Sequence, residues 1–128
     1  MKRILNLILV LFIAVFCCKS DAMTFEEAFM QSNRKPMVVL IYAKWVDDLN
    51  KTQEQYRQLP PYLGKIYNFT ELDIASEDTK FFNEKFQIYP KLPYILMFRE
   101  GGKISRYIER DCAKSATCTA SKLKSFLQ

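Results

Sequence analysis

The sequence predicts an α/β domain, a central sheet of about four strands flanked by helices. Three observations predict it. Residues 37–43 form an unbroken apolar run rich in β-branched and aromatic side chains, which reads as a strand buried on both faces. Helical and strand patterns then alternate along the chain. Finally, Glu100-Gly101-Gly102-Lys103 is a tight-turn signal between two apolar runs, the mark of a β-hairpin.

Each element has its own signal. Thr24-Phe25-Glu26-Glu27 is a capping-box pattern, and Phe25, Ala28 and Phe29 make one apolar stripe, so a helix is expected up to about Asn33. Lys35-Pro36 ends it and feeds the first strand. Residues 47–59 are polar on most sides, with Leu49, Tyr56 and Leu59 apolar. They read as a helix opened by Asp47-Asp48, whose carboxylates suit the positive helix end, and stopped by Pro60-Pro61. Residues 66–74 alternate as a second strand. Ser76, Glu77 and Asp78 announce a helix on which Phe82 and Phe86 lie one turn apart. Tyr94–Arg99 and Ile104–Ile108 form the hairpin, and Leu123, Phe126 and Leu127 mark a last helix.

Composition bounds the function. Residues 1–22 have the pattern of a secretory signal peptide, with Lys2 and Arg3 before an apolar stretch and small residues at Ser20 and Ala22. The apolar stretch is shorter than the about 20 residues a membrane-spanning helix needs. A lipoprotein, acylated at Cys17 or Cys18, is the rival reading, and membrane attachment is expected only in that case. Residues 23–128 then form one domain, secreted or periplasmic. The leader takes three of the 19 basic and one of the 14 acidic residues, so the net charge falls from +5 to +3. That charge is spread without a basic run, and nucleic acid is not implied. The chain has no histidine, which removes the commonest metal ligand and general base, so no metal and no cofactor are expected. Cys112 and Cys118 are the only cysteines beyond the leader, an even pair that reads as one disulfide in an oxidising compartment.

The stretch Ile41-Tyr42-Ala43-Lys44-Trp45, followed by a helical pattern, resembles the thioredoxin family, whose strand leads through Phe-x-Ala-x-Trp into Cys-x-x-Cys. Leu92-Pro93 before the strand Tyr94–Arg99 is similar to that family's apolar residue and cis proline facing the two thiols. The resemblance covers nearly all of residues 23–128 and implies a thioredoxin-like fold with a mixed sheet, trimmed of its first strand. It also implies a cis peptide at Pro93. The chain departs from the family at the reacting positions. Val46-Asp47-Asp48-Leu49 stands where Cys-x-x-Cys belongs, and Leu40 occupies the place of the buried acid of active members. Without a thiolate at Val46 or Leu49 there is no thiol–disulfide exchange at that site.

Trp45, Val46, Asp47, Asp48 and Leu49 are therefore read as a degenerate active site, and Trp45, Leu92, Pro93 and Tyr94 as a surface for a protein or peptide partner. Trp45 and Tyr94 are either an exposed platform or rings that merely pack. Asp47 and Asp48 read as helix caps rather than metal ligands, since adjacent residues at a helix start diverge. Asn50-Lys51-Thr52 and Asn68-Phe69-Thr70 are glycosylation patterns that matter only in a eukaryotic secretory route. The expected function is an exported, redox-inactive binding or accessory module. The alternative is a weak oxidoreductase working through Cys112 and Cys118, in a loop of residues 110–118 that rims the same surface, with Arg110 and Lys114 lowering a thiol pKa.

Overall fold

The computed structural model describes residues 23–127; the expected leader and its two cysteines lie outside them. In chain order the elements are α1 (Phe25–Gln31), β1 (Met37–Tyr42), α2 (Leu49–Tyr56), α3 (Pro60–Leu63), β2 (Asn68–Asp73), α4 (Thr79–Lys85), β3 (Tyr94–Arg99), a 3-10 turn (Glu100–Gly102), β4 (Ile104–Ile108), α5 (Arg110–Ala113) and α6 (Ala116–Phe126). The sheet order is β2-β1-β3-β4. β1 is parallel to β2 and antiparallel to β3, and β4 closes an antiparallel hairpin on β3. This is the expected four-stranded mixed sheet between helices.

β1 is central because it is apolar on both faces. Met37 to Ile41 have no exposed surface, and the alternation of a strand divides them between two cores. Val38 and Leu40 join Tyr56, Leu59, Leu63, Tyr67, Leu123 and Phe126 on one face. Met37, Val39 and Ile41 join Phe25, Ala28, Leu72, Phe82 and Phe98 on the other. The second core is largely aromatic, with Phe25 edge-on to Phe82 at 5.1 Å and to Phe81 at 5.9 Å, the geometry ring quadrupoles favour.

Local chemistry sets the element ends. The Thr24 hydroxyl caps α1 by accepting the Glu27 N–H at 3.2 Å. At the far end, Ser32 donates its hydroxyl to the Phe29 carbonyl (2.6 Å) and accepts the Gly101 N–H (3.1 Å), tying α1 to the β3–β4 turn. That turn needs its glycines: Gly101 and Gly102 have φ of 64° and 86°. A Cβ on Gly102 would come within 3.0 Å of the Phe29 ring.

Three expectations change. Pro60-Pro61 does not only end a helix; it opens α3, because proline at the first helical positions gives up an N–H that has no partner there anyway. β2 begins at Asn68 rather than Ile66, since Tyr67 donates its N–H back to Leu63 and turns its ring into the core. Residues 110–118 are not a loop but two helical segments, the second capped by the Ser115 hydroxyl on the Cys118 N–H at 3.2 Å.

Buried phenols fasten the helices to the sheet. The Tyr56 hydroxyl lies 2.9 Å from the Val38 carbonyl and 2.6 Å from that of Thr70, bridging β1 and β2, and burial pushes its pKa well up. Tyr67 donates to the Leu123 carbonyl at 2.5 Å. Burial raises both Tyr67 and Tyr94 from 10.0 to about 12. A phenol that ionises later in the folded state than in the unfolded one stabilises the fold fully below pH 10, and this contribution is lost as the pH rises towards 12. Thermal melts should therefore stay level up to the unfolded tyrosine range and then fall steeply, and Tyr94→Phe should reduce the alkaline fall.

Candidate functional site

The site is the end of the sheet where β1 stops and β3 starts. Ile41 pairs with Tyr94, so one step further along the register sets Pro93 across from Tyr42. Trp45 follows three residues later, in the turn before α2. The Leu92-Pro93 peptide is cis, as the resemblance implied. Trp45 is 71% exposed, so its ring does not pack into the domain, whereas Tyr94, its expected companion, is buried.

The residues between Trp45 and α2 form a turn closed by the Val46 N–H on the Ala43 carbonyl at 3.1 Å. Val46 and Leu49 are half-buried, while Asp47 and Asp48 are exposed. The capping expected of Asp47 and Asp48 is not found. α2 starts only at Leu49, and Asp48 takes a left-handed conformation with φ of 58° and no side-chain cap. A capping side chain needs an extended backbone at that position. Asp48 contributes its carbonyl instead, accepting the Thr52 N–H at 3.0 Å. Leu40 is fully buried between Ile95 and Glu71 of the neighbouring strands, so the position offers no proton acceptor.

Two residues of the expected surface are inside. Pro93 and Tyr94 are buried, and Leu92 is half-buried. Tyr94 faces inward because its hydroxyl accepts the Tyr89 N–H at 3.2 Å and its ring packs against Tyr89 and Tyr107 at 5.6 and 5.7 Å. Sequence reasoning missed Tyr89 and Tyr107, which stand edge to face at 4.4 Å. A cleft of about 430 Å³ opens beside them, lined also by Pro90, Lys91, Arg110 and Asp111. The available signal was the alternation of β4, which sends Tyr107 to the same face as Tyr94.

Cys112 and Cys118 are bonded to each other, with Cα atoms 5.3 Å apart. Arg110 and Asp111 line the tyrosine cleft rather than a surface shared with Trp45, while Cys112 is buried against the first core and Cys118 is partly covered by it. Two N–H groups at the start of α6 are taken: Cys118 donates to Ser115, and Ala116 donates to the Gln55 side chain at 2.9 Å. The pair has the setting of a structural staple between α5 and α6. Among the described residues no group of three or more His, Cys, Asp or Glu side chains is placed to hold a metal ion.

Comparison with known structures agrees with this topology. A thioredoxin of Malassezia sympodialis superposes with a TM-score of 0.61 at 13% identity, covering 80% of this chain and 85% of that one. The fold is that of thioredoxin. Mitochondrial thioredoxin 3 of Saccharomyces cerevisiae gives 0.58 at 18% identity over 78% of this chain and 87% of its own. Thioredoxin-2 of the malaria parasite, described as a component of protein secretion machinery, gives 0.56 at 16% over 71% and 82%. No family model and no curated protein matches the sequence. At such identities the likeness speaks for the thioredoxin fold alone, and the chemistry has to be read from this chain's own residues.

Two outcomes check this geometry. At Asp48, glycine tolerates a positive φ and a β-branched residue does not. Asp48→Gly should leave stability unchanged or raise it by up to ~1 kcal/mol, and Asp48→Val should lower it by about 1–2 kcal/mol in urea denaturation. Opening the short Cys112–Cys118 loop with the double serine variant should cost about 2 kcal/mol, with the same far-ultraviolet circular dichroism as the parent.

Proposed function

We propose that this chain is an exported, redox-inactive thioredoxin-fold module that binds a protein or peptide at the sheet end carrying Trp45 and the half-buried Leu92. One observation carries the reading. The fold presents Trp45 to solvent with 71% of its surface exposed, while Val46 and Leu49 hold no thiol at the two reacting positions. An exposed indole suits contact with a polypeptide, because a ring supplies large apolar area at small entropic cost. The signal-peptide pattern of residues 1–22 supports a secreted or periplasmic location, with membrane attachment only if Cys17 or Cys18 is acylated. The likeness to a thioredoxin described as part of a secretion machinery fits an accessory role in a larger assembly.

The alternative, a weak thiol–disulfide oxidoreductase using Cys112 and Cys118, draws on their being a bonded pair. The burial of Cys112 weighs against it, since exchange needs an accessible sulfur and a thiolate. An insulin reduction assay with dithiol separates the two. The binding module gives turnover no faster than background, unchanged in the Cys112→Ser and Cys118→Ser variants. Turnover in the parent that both variants lose assigns the oxidoreductase. Trp45→Ala should change stability by less than ~0.5 kcal/mol, as exposed positions do, and weaken association with the native partner at least tenfold.

A further inference from the structure

The face of the sheet under α6 ends in a basic pocket. Met97 pairs with Arg106, and Arg99 with Ile104, across the β3–β4 hairpin. Opposite residues of paired strands share a face, and Met97 and Ile104 set this one against the first core. Arg99 and Arg106 therefore stand on the α6 side of the sheet. α6 adds Lys122, Ser125 and Phe126, and these side chains line a pocket of about 370 Å³ at the β4 edge. Among the described residues no acidic side chain lines it, and neither Arg99, Arg106 nor Lys122 is held in an ion pair.

Arg106 and Lys122 are exposed, and exposed cations by themselves are only solvated charges. Arg99 makes the difference. It is half-buried, and its guanidinium lies over the Phe126 ring, 5.4 Å from the ring centre. That contact holds the plane of the fork. Its Nε is buried and has no hydrogen-bond partner among the described residues, an uncommon and unfavourable state for a charged donor. The neighbours do not supply the missing acceptor. Arg106 is itself a donor, giving one N–H to the Ser105 carbonyl at 3.1 Å. The Ser125 hydroxyl donates to the Ser121 carbonyl at 3.2 Å, so recognition in this pocket falls to the three cations.

We propose that this pocket is a second binding site, which takes a phosphate group through Arg99, Arg106 and Lys122. Three cations lining one pocket without a carboxylate favour a dianion over a single carboxylate charge. The planar fork of Arg99 matches two oxygens of a phosphate, and Lys122 and Arg106 reach the same group as flexible charges from the rim. The phosphate belongs either to the free ion or to a small phosphate monoester. Met23, where the described chain begins, lies at the other edge of the sheet, its carbonyl accepting the Thr70 hydroxyl of β2. The site contains no residue of the Trp45 surface and does not depend on it.

The test titrates the purified full chain with inorganic phosphate, phenyl phosphate and benzoate. It is run at about 0.15 M salt and about pH 8, where loose surface charges are screened and a phosphate ester is dianionic. Heteronuclear NMR follows the arginine Nε–H signals. Both phosphates should saturate and shift the Arg99 signal, at least tenfold more tightly than benzoate. Tighter binding of phenyl phosphate than of inorganic phosphate assigns a monoester as the ligand, and equal binding assigns the free ion. Arg99→Met, which keeps an apolar stem over Phe126, should weaken binding at least tenfold, and Arg106→Gln and Lys122→Gln at least threefold each. Arg57→Gln, which removes a cation already paired with Glu71, and Trp45→Ala should leave it unchanged. No saturable binding, benzoate binding as well as phosphate, full binding by the Arg99→Met variant, or the same loss in Arg57→Gln overturns the proposal. So does an Arg99 Nε–H protected from exchange before any anion is added, which means that a carboxylate of the chain itself holds the site.

Discussion

Burial of β1 on both faces is the constraint on which the rest of the structure depends. Five consecutive residues without exposed surface, Met37 to Ile41, can be satisfied only by strands on either side and helices above and below. The parallel β2 and antiparallel β3 take up its backbone groups. The two cores take up its side chains, one through Tyr56, Leu63 and Leu123 and the other through Phe25 and Phe82. Apolar area buried at roughly 25 cal/mol per Å² makes these contacts the main favourable term, and the hydrogen bonds of Tyr56 and Tyr67 fix which helix sits where. The same strand fixes the candidate site, since the chain leaves the sheet at Tyr42 and delivers Trp45 to the end where Pro93 lies.

What the scaffold keeps and what it has lost are separable. A thioredoxin fold places a turn, a helix and a cis proline together whatever residues fill the turn. Here the residues are Val46, Asp47, Asp48 and Leu49, and the turn has changed with them: the helix begins at Leu49 and Asp48 is left-handed. Leu40 belongs to the same change. A buried acid assists proton transfer between sulfurs, and without sulfurs an apolar side chain at that position contributes packing instead. Cys112 and Cys118 join α5 to α6, with Cys112 buried against the first core.

Much of the fold was legible because its signals are local. Thr24 capping, the β1 run, the Gly101-Gly102 turn and the Leu123–Phe126 spacing each determine an element without reference to the rest. The mixed character of the sheet and the cis peptide followed only from resemblance at Trp45 and Pro93. The site was harder to read. Tyr94 is apolar in part and polar in part, and whether it faces out depends on Tyr89 in the preceding loop and on Tyr107 of another strand. Asp48 carries a capping residue's side chain, but its backbone follows the turn rather than the side chain's preference.

The proposed function requires that the Cys112–Cys118 disulfide of this thioredoxin fold be structural and not a reacting one. The most direct measurement is thiol trapping of the native protein, by alkylation and mass spectrometry, across increasing dithiol concentration, with unfolding followed in parallel. The account predicts that Cys112–Cys118 stays oxidised until the domain begins to unfold. Reduction of the pair at low dithiol in the fully folded protein would contradict it.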